Sequence, residues 1–324
     1  MLVGVTCLEL RWDPIMSQWI IVSGKRGKRP LLPEGYCPFC PGSEEIPEKG
    51  WTVLSLPNKF PALQPEPPSP SVKSDRLYRC RPARGVCEII IYTPKHDATL
   101  ADLSVKNIKA VIDLWTQRFT ELGSRDYVKY VFIFENKGRI IGVTLDHPHG
   151  QLYAFPFIPP IIKRELASSR RYWRRTGNCL FCRIIEKERK DATRIVCENE
   201  DFVCFLPFFA HWPYGVQIYP KRHVEALPEL DEKEKIMFAS ILKRVLRKFD
   251  NLFKMRFPYM MVLHQRPTDG KKYPYYHFHV EFYPPYREKN KVKYFASVET
   301  GSGTVTFDYT PEMKAKELRE SPET

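Results

Sequence analysis

Apolar residues along the chain follow two kinds of spacing. Short runs rich in β-branched and aromatic residues are typical of strands, and they lie at residues 19–22, 86–93, 130–134, 152–155, 196–205, 216–219, 259–263 and 275–283. In two longer segments, residues 102–122 and 231–253, apolar side chains return every three or four positions. That period predicts two amphipathic helices, the first capped by Asp102 or Ser104. A basic segment at residues 163–175 is predicted to be a helix that connects two parts of the chain.

The same features occur twice in the same order. Each half contains a Cys-x-x-Cys pair, a strand, a Pro-Lys segment that ends in His, a long helix and a strand with His-x-His. The cysteines and histidines concerned are Cys37, Cys40, His96, His147 and His149 in the first half, and Cys179, Cys182, His223, His277 and His279 in the second. The Cys-x-x-Cys pair, the Pro-Lys segment that ends in His, the long helix and the His-x-His motif are four matched features in one order, which indicates a tandem repeat. The sequence therefore predicts an α+β fold with two domains, residues 1–160 and 161–324, each an antiparallel sheet with a packed helix.

The His-Pro-His-Gly-Gln motif at residues 147–151 lies between two predicted strands. Side chains alternate along an extended chain, so His147, His149 and Gln151 are expected on one face. Gly150 would let a ligand approach the backbone closely. Two imidazoles beside an amide suit the handling of an anion or a metal ion. The alternative is a pair of histidines that are simply hydrogen-bonded at the end of a sheet.

Each Cys-x-x-Cys pair, together with two histidines of its own half, predicts a tetrahedral zinc site. The two sets are Cys37, Cys40, His96 and His147, and Cys179, Cys182, His223 and His277. Two thiolates and two imidazoles leave no open position on the ion, which is typical of structural zinc. The alternative for the second set is a group of buried thiols without metal.

If a metal holds His147, then His149 is the histidine that remains for chemistry. A neutral imidazole is a good nucleophile toward phosphorus when its other nitrogen is protonated and hydrogen-bonded, and a backbone carbonyl in the same turn can provide that bond. Gln151 can donate to a phosphoryl oxygen as charge moves in the transition state. In the second half His279 is followed by Glu281, whose charge would repel a phosphate. We therefore predict that only the first half is catalytic.

Charge and composition narrow the class of protein. The chain has 324 residues and a net charge of +13, which suits an anionic partner. A loop of two glycines among four cations at residues 23–30 suits phosphate oxygens, whereas nucleic acid would need a continuous basic stripe. No apolar stretch is long enough for a membrane span, and charges follow the first residues too early for a secretory signal. A cytoplasmic protein is expected.

Five further cysteines lie outside the two Cys-x-x-Cys pairs. They are Cys7, Cys80, Cys87, Cys197 and Cys204. Most of them are expected to be buried thiols. The many Lys, Glu, Arg and Pro residues and the few Gln residues lean toward a thermophilic source, where intracellular disulfides also occur.

Several of these motifs resemble those of the galactose-1-phosphate uridylyltransferase family, in the histidine-triad superfamily. The most specific are His-Pro-His-Gly-Gln at 147–151, Phe-Glu-Asn-Lys-Gly at 134–138 and Cys-Pro-Phe-Cys at 37–40, with support from residues 17–23, 249–253 and 282–285. The resemblance extends from about Asp13 to Glu317. It implies two histidine-triad-like halves and a homodimer with shared active sites.

The resemblance also implies ping-pong chemistry on sugar nucleotides. UDP-glucose would uridylylate His149 and release glucose 1-phosphate, and galactose 1-phosphate would then accept the uridylyl group to give UDP-galactose. The implied substrate contacts are Arg26, Arg29, Asn58, Asn136, Gly142, Thr144, Gln151, Lys293, Tyr294, Val298 and Glu299. The last four belong to a stretch that would cross into the partner subunit.

Two departures from the family pattern leave alternatives open. Val298 stands where the family has Tyr, and a downstream Gln is absent from residues 304–306, which affects the hexose specificity. Some members bind a second metal, iron or zinc, through positions that fall here on Glu165, His264, His277 and His279. The Cys-His set is favoured because thiolates bind zinc strongly. The nearest alternative function is an ADP-glucose phosphorylase that forms an adenylyl-histidine, and the more distant one is a zinc-knuckle nucleic-acid-binding protein.

Overall fold

The strands form one large sheet and two small ones in the computed structural model, which describes residues 7–24, 27 and 36–323. The strands are β1 (Leu8–Asp13), β2 (Gln18–Ser23), β3 (Leu54–Pro57), β4 (Cys80–Pro82), β5 (Val86–Ile91), β6 (Tyr130–Lys137), β7 (His149–Phe155), β8 (Ile195–Glu198), β9 (Phe202–Phe205), β10 (Gln217–Pro220), β11 (Tyr259–His264), β12 (His279–Tyr283), β13 (Tyr286–Glu288) and β14 (Lys291–Val292). The α-helices are α1 (Val105–Gly123), α2 (Pro160–Thr176), α3 (Leu180–Asp191), α4 (Glu232–Leu252) and α5 (Pro311–Glu320).

The large sheet has nine antiparallel strands in the order β3-β5-β7-β6-β11-β12-β10-β9-β8. The first four strands come from the first half of the chain and the other five from the second. Strands β6 and β11 join them, in a register that runs from Lys137 opposite Tyr259 to Ile133 opposite Leu263. The predicted α+β class is confirmed. The two predicted sheets are continuous with each other rather than separate.

Helices α1 and α4 cover one face of this sheet and enclose the main hydrophobic core. The buried apolar residues of the two helices are Ile108, Val111, Ile112, Trp115, Phe119 and Leu122 on α1, and Phe238, Ala239, Ile241, Leu242, Val245, Leu246 and Phe249 on α4. Val131 and Ile133 from the first half and Met261 and Leu263 from the second half belong to the same core. Full burial of one such large side chain stabilises the fold by about 1.5–3 kcal/mol. A shared core therefore holds the two halves together.

The start of α1 is set by a side-chain cap. The hydroxyl oxygen of Ser104 accepts a hydrogen bond from the backbone N–H of Asn107 at 3.1 Å, and the helix begins at the next residue, Val105. Asp102 instead accepts from the backbone N–H of Thr99 at 2.9 Å in a short 3₁₀ turn. Of the two predicted caps, Ser104 is the one in use. Within the described part of the chain, no helix is long and apolar enough to span a membrane.

The strand that was predicted at residues 275–283 is shorter, because β12 begins at His279. The preceding residues bond to a loop instead of to a neighbouring strand. The backbone N–H of Phe278 donates to the carbonyl of Val224 at 2.6 Å, and the N–H of Tyr276 donates to Tyr273 at 2.8 Å. His277 therefore lies ahead of the strand and beside the loop that follows β10.

Candidate active site

His149 is the first residue of β7, which lies between β5 and β6 in the sheet. Its Nδ1 atom is 2.7 Å from the backbone carbonyl oxygen of His147. Because a carbonyl oxygen only accepts, Nδ1 carries the proton and donates it, and Nε2 keeps its lone pair. The imidazole is 8% exposed and packs edge-on against Phe39, with ring centroids 5.2 Å apart. The ring is thus held in one orientation with a nucleophilic nitrogen.

Tyr92 fixes the backbone of the His-Pro-His-Gly-Gln motif from the core side of the sheet. Its N–H donates to the carbonyl of Pro148 at 3.1 Å. A Cβ atom placed on Gly150 would lie only 2.1 Å from the hydroxyl oxygen of Tyr92 and 3.1 Å from the carbonyl oxygen of Phe134. Glycine is required here because a buried tyrosine leaves no room for a side chain. This is a different reason from the close approach of a ligand that the sequence suggested.

The first Cys-His set lies together beside His149. Cys37, Cys40, His96 and His147 form a group whose ligand atoms all lie within 4.8 Å of one another. The sulfur of Cys40 is 3.5 Å from Nδ1 of His96 and 3.7 Å from Nδ1 of His147, and the sulfur of Cys37 is also 3.7 Å from His147. A tetrahedral zinc ion with ordinary bond lengths separates its sulfur and nitrogen ligands by roughly 3.6 Å. The four residues therefore fit zinc.

His147 connects this Cys-His cluster to His149. Its Nε2 donates to the carbonyl of Thr93 at 2.8 Å, which leaves Nδ1 for an ion. Burial lowers the pKa of His147, so the imidazole is neutral, as a ligand must be. The carbonyl of the same residue orients His149. One residue thus contributes its side chain to the Cys-His cluster and its backbone carbonyl to His149.

The second Cys-His set repeats this arrangement in the second half. Cys179, Cys182, His223 and His277 lie together. The sulfur of Cys182 is 3.4 Å from Nδ1 of His223 and 3.5 Å from Nδ1 of His277, again the spacing of a tetrahedral site. The Nε2 of His277 donates to the carbonyl of Pro220 at 3.0 Å. These residues also fit zinc.

A third group of metal-ligating side chains lies next to the second Cys-His set. It consists of Glu165, His264, His279 and Glu281. The Nδ1 of His264 is 3.0 Å from Glu165, and the Nε2 of His279 is 3.4 Å from Glu281. Burial opposes a charge on His264, but the two carboxylates raise its pKa to about 9. The structure does not bring together the alternative set of Glu165, His264, His277 and His279. His277 lies with the cysteines, and Glu281 is the fourth member of this group.

His149 lines two cavities of different character. One, of about 230 Å³, is mostly apolar and is lined by Tyr36, Pro38, Phe39, Leu56, Asn58, Phe60, Ile89, Thr144 and Leu145, among others. The other, of about 250 Å³, is more polar and is lined by His96, Asn136, Lys137, Gly138, Asp146 and Arg256, among others. An apolar cavity on one side of a nucleophile and a polar one on the other can hold a molecule with a ring at one end and charged groups at the other.

The structure brings together some of the substrate contacts that the resemblance implied. Asn58 and Thr144 line the apolar cavity, and Asn136 lines the polar one. Gln151 is half-buried two residues beyond His149 on the same strand. Gly142 ends the short turn after β6 with a positive φ of 83°. Arg26 and Arg29 lie outside the described residues.

The C-terminal contacts are placed elsewhere in the single chain. Lys293, Tyr294, Val298 and Glu299 are not among the described residues that line either cavity beside His149. The amine of Lys293 donates to the carbonyl of Thr306 at 2.6 Å, and Glu299 accepts from the Thr306 hydroxyl at 2.6 Å. Tyr294 is 75% exposed and Val298 is 48% exposed. Glu299 organises its own loop, and the two exposed side chains face outward.

Two residues of the polar cavity were missed by sequence reasoning. Lys137 ends β6, and its amine is 2.9 Å from Asp250. Arg256 comes from the second half and donates to the carbonyl of Asp97. Lys137 belongs to the Phe-Glu-Asn-Lys-Gly motif, which was a usable signal. The position of Arg256 depends on the pairing of β6 with β11, for which the sequence carries no local signal.

The fold and the site together define a transferase built from two tandem α+β halves, with an oriented histidine beside a Cys2His2 cluster. The family model for the N-terminal domain of galactose-1-phosphate uridyl transferase matches residues 7–159, and that for the C-terminal domain matches residues 165–324. The chain belongs to the galactose-1-phosphate uridylyltransferase family.

Individual relatives support this membership over nearly the whole chain. The galactose-1-phosphate uridylyltransferase of Thermotoga maritima is 41% identical over 97% of this chain and 98% of its own length. The enzyme of Rattus norvegicus is 36% identical over 97% of this chain and 88% of its own length. A solved uridylyltransferase structure superposes with a TM-score of 0.89 at 39% identity, covering 96% of this chain and 97% of that one. All three similarities extend across both halves.

Proposed function

We propose that this enzyme exchanges a uridylyl group between UDP-glucose and galactose 1-phosphate through a covalent intermediate on His149. The observation that supports it most directly is the 2.7 Å contact between Nδ1 of His149 and the carbonyl of His147. This contact assigns the proton to Nδ1 and the lone pair to Nε2. A nucleophile prepared in this way, between an apolar and a polar cavity, suits attack on a nucleotide phosphate.

In the first half-reaction, Nε2 of His149 attacks the α-phosphorus of UDP-glucose. The bond from that phosphorus to the bridging oxygen breaks, and glucose 1-phosphate leaves with the electron pair. The imidazole gains positive charge, which its Nδ1–H shares with the carbonyl of His147. In the second half-reaction, a phosphate oxygen of galactose 1-phosphate attacks the same phosphorus, and the nitrogen–phosphorus bond breaks. The products are UDP-galactose and His149 in its starting form, so atoms and charge balance.

The two cavities give the substrate one orientation. The uracil and ribose would occupy the apolar cavity with Phe39, Asn58 and Thr144. The phosphates and hexose would extend into the polar cavity, beside Asn136 and Arg256. In addition, Gln151 would donate to the transferred phosphoryl group, and Gly142, Arg26 and Arg29 would complete the contacts. Preorganised donors of this kind stabilise the charge that develops in the transition state.

Metal ions have a structural role in this proposal. Cys37, Cys40, His96 and His147 would hold one zinc ion, and Cys179, Cys182, His223 and His277 would hold a second. Such an ion supplies a rigid cross-link rather than an open coordination position. The residues themselves keep the carbonyl of His147 in place under Nδ1 of His149. The mixed group of Glu165, His264, His279 and Glu281 would either hold a further ion, iron or zinc, or form an ion-paired network without metal.

We also propose a homodimer in which the C-terminal stretch of one subunit reaches the active site of the other. The exposure of Tyr294 and Val298 supports this arrangement, because the single chain leaves 75% and 48% of these residues exposed. Lys293 and Glu299 brace the loop that presents them. Val298 in place of the family's Tyr would change the contact to the hexose, so other hexose 1-phosphates are candidate acceptors.

A second candidate is an adenylyl-histidine enzyme of the ADP-glucose phosphorylase kind. The observation that favours it is a structural likeness to an ADP-glucose phosphorylase from Arabidopsis thaliana with bound ADP-glucose. That likeness has a TM-score of 0.76 at 26% identity and covers 97% of this chain and 99% of that one. The nucleophile would be unchanged, and the apolar cavity would hold adenine. Greater similarity to the uridylyltransferase structure, with its TM-score of 0.89, places this candidate second.

Intact-protein mass spectrometry distinguishes these functions. We expect zinc-loaded protein mixed with UDP-glucose to gain the mass of one uridylyl group, and the gain to disappear in His149→Ala. The matched control is His279→Ala, the equivalent histidine of the second half, which should still form the adduct. An adduct from ADP-glucose alone would replace the proposal with the phosphorylase. No adduct from either donor would overturn covalent transfer and leave the nucleic-acid-binding alternative, for which salt-dependent RNA binding is the measurement.

A further inference from the structure

Cys197 and Cys204 lie directly opposite each other in the hairpin of β8 and β9. They are 6% and 0% exposed and contribute to the main core. Neither belongs to the active site or to a metal-ligating group among the described residues. We propose that these two thiols form a disulfide that fastens the edge strand of the nine-stranded sheet. The inference stands apart from the proposed function, because the hairpin is remote in sequence and in sheet order from His149.

The register of the hairpin gives the spacing that a disulfide needs. The backbone N–H of Asn199 donates to the carbonyl of Phe202 at 3.0 Å, so these residues form a hydrogen-bonded pair. Such pairs recur at every second position, which makes Cys197 and Cys204 a pair of the same kind. Their Cα atoms are then about 5.5 Å apart, inside the usual disulfide range of about 4.4–6.8 Å.

The side chains of the pair also point the same way. Directly opposed residues of antiparallel strands share a face, with Cβ atoms about 4.5–5.5 Å apart. A disulfide brings Cβ atoms to about 3.5–4.5 Å, so the strands have to approach by roughly 1 Å. The register shift between Ile195 and Cys197 places a bulge beside the pair. A bulge interrupts the ladder and increases the local twist, which makes this adjustment easier at an outer strand than in the middle of a sheet.

The chemistry has a defined direction. A hydrogen bond with the Cys204 thiol is the main cause that lowers the pKa of Cys197, and the nearby Arg244 and Lys248 lower it less. Burial raises the pKa of Cys204. Cys197 is also the more accessible of the two thiols, at 6% exposed against 0% for Cys204, so it is the attacking thiolate. It attacks one sulfur of an external disulfide, such as oxidised glutathione, and expels one thiolate. Cys204 loses its proton and attacks the sulfur of Cys197, which expels the second thiol. The pair loses two electrons and two protons, and the external disulfide becomes two thiols.

The disulfide would stabilise the part of the sheet that has least support. Strand β8 is the outermost strand, with a neighbour on one side only. Helix α5 depends on it, since Arg319 donates to the carbonyls of Ile195 at 2.7 Å and Thr193 at 3.2 Å. Elsewhere in the described strands, Cys80 lies opposite Arg11 and Cys87 lies opposite Tyr153, so neither faces a cysteine. The arrangement is therefore specific to the Cys197–Cys204 pair.

The test is a thiol–disulfide equilibrium approached from both directions. Zinc-loaded folded protein and chain refolding from denaturant are each incubated in glutathione buffers of increasing oxidised fraction. The free thiols are then alkylated, and the peptides are mapped by mass spectrometry. We expect a linked peptide joining residues 197 and 204 from both starting points, and a melting temperature roughly 3–5 °C above that of the reduced protein.

Two variants make the result specific. Cys197→Ser should remove the linked peptide and the rise in melting temperature, and Cys80→Ser should keep both. The proposal is overturned if Cys197 and Cys204 stay reduced after refolding, in the same buffers in which Cys80 forms a mixed disulfide with glutathione. It is also overturned if the linked peptide forms with other cysteines instead. Neither outcome depends on activity, so failure here is distinct from failure of the uridylyl-transfer proposal.

Discussion

Glu135 is a carboxyl group buried in strand β6 beside the polar cavity that leads to His149. Its Oε1 accepts a hydrogen bond from the hydroxyl of Tyr259 at 3.1 Å, while its Oε2 has no partner. An unpartnered buried oxygen is costly when it is charged. Burial raises the pKa of Glu135 from 4.5 to about 7, so the folded protein keeps a proton that the unfolded chain loses.

This raised pKa predicts a loss of stability with rising pH. Between about pH 4.5 and about pH 7 the folded state binds the extra proton, so the free energy of unfolding falls as pH rises through that window. The shift corresponds to about 3 kcal/mol. Denaturant unfolding of wild type and Glu135→Gln across the window should show the fall in the wild type and its absence in the variant. The control is the exposed Glu66→Gln. Parallel curves for wild type and Glu135→Gln would refute the assignment.

At the scale of single residues, the types of residue in each site were easier to predict from the sequence than their burial and contacts. The pairing of cysteines with histidines in each half was predictable from the repeat alone, because ligand types and spacing suffice for zinc. The burial of Glu135 was not predictable, since it lies in a motif whose next residues, Asn136, Lys137 and Gly138, line the polar cavity. From the sequence, Glu281 is expected only to repel a phosphate, and its place in the third group is not predictable. Its contact with His279 depends on strand geometry that spacing does not contain.

At the scale of the element, strand β7 depends on Gly150. A Cβ atom there would meet the Tyr92 hydroxyl at 2.1 Å and the Tyr92 ring carbon that bears it at 2.9 Å. We expect Gly150→Ala to shift the start of the strand and with it His149. A displacement of about 1 Å at a nucleophile can lower the rate roughly 100-fold, and overpacking of this kind costs about 1–3 kcal/mol of stability.

A double variant checks this explanation. Tyr92→Phe removes the hydroxyl and the shorter of the two clashes, so Gly150→Ala combined with Tyr92→Phe should recover part of the lost rate of adduct formation. The measurement is the rate of mass gain with UDP-glucose, together with the melting temperature. Tyr92→Phe alone is the matched control and should change the rate little. If the double variant is as slow as Gly150→Ala, the tyrosine is not the cause.

The helices were predictable as elements because their apolar period is local information. Helix α1 was predicted from residue 102 and begins at Val105, since Asp102 bonds to Thr99 and leaves the cap to Ser104. The sheet was only partly predictable. Its strands contain the β-branched and aromatic runs that are typical of strands. The pairing of β6 with β11, however, joins segments more than a hundred residues apart. Nothing in either strand specifies that partner. The predicted boundary between residues 160 and 161, at the start of α2, stays a prediction.

At the scale of the whole molecule, the two similar Cys-His clusters have different neighbours. The cluster of the first half includes His147, whose carbonyl orients His149, the proposed nucleophile. In the second half His277 plays the same part toward His279, through a contact of 2.9 Å. His279, however, is 1% exposed and faces Glu281. The repeat therefore preserves one architecture while only the first half keeps a usable nitrogen.

This asymmetry predicts different effects of removing one ligand from each cluster. Cys40→Ala and Cys182→Ala should each release zinc and lower the melting temperature, because each cluster connects loops in its own half. Only Cys40→Ala should also slow adduct formation, by roughly 100-fold at a temperature where both variants are folded, because it loosens the carbonyl under His149. Zinc content, melting temperature and the rate of uridylyl transfer to His149 are measured on the same samples. If uridylyl transfer slows equally in both variants, the shared core transmits the loss of either cluster to the active site. The His147 carbonyl would then not be the specific link.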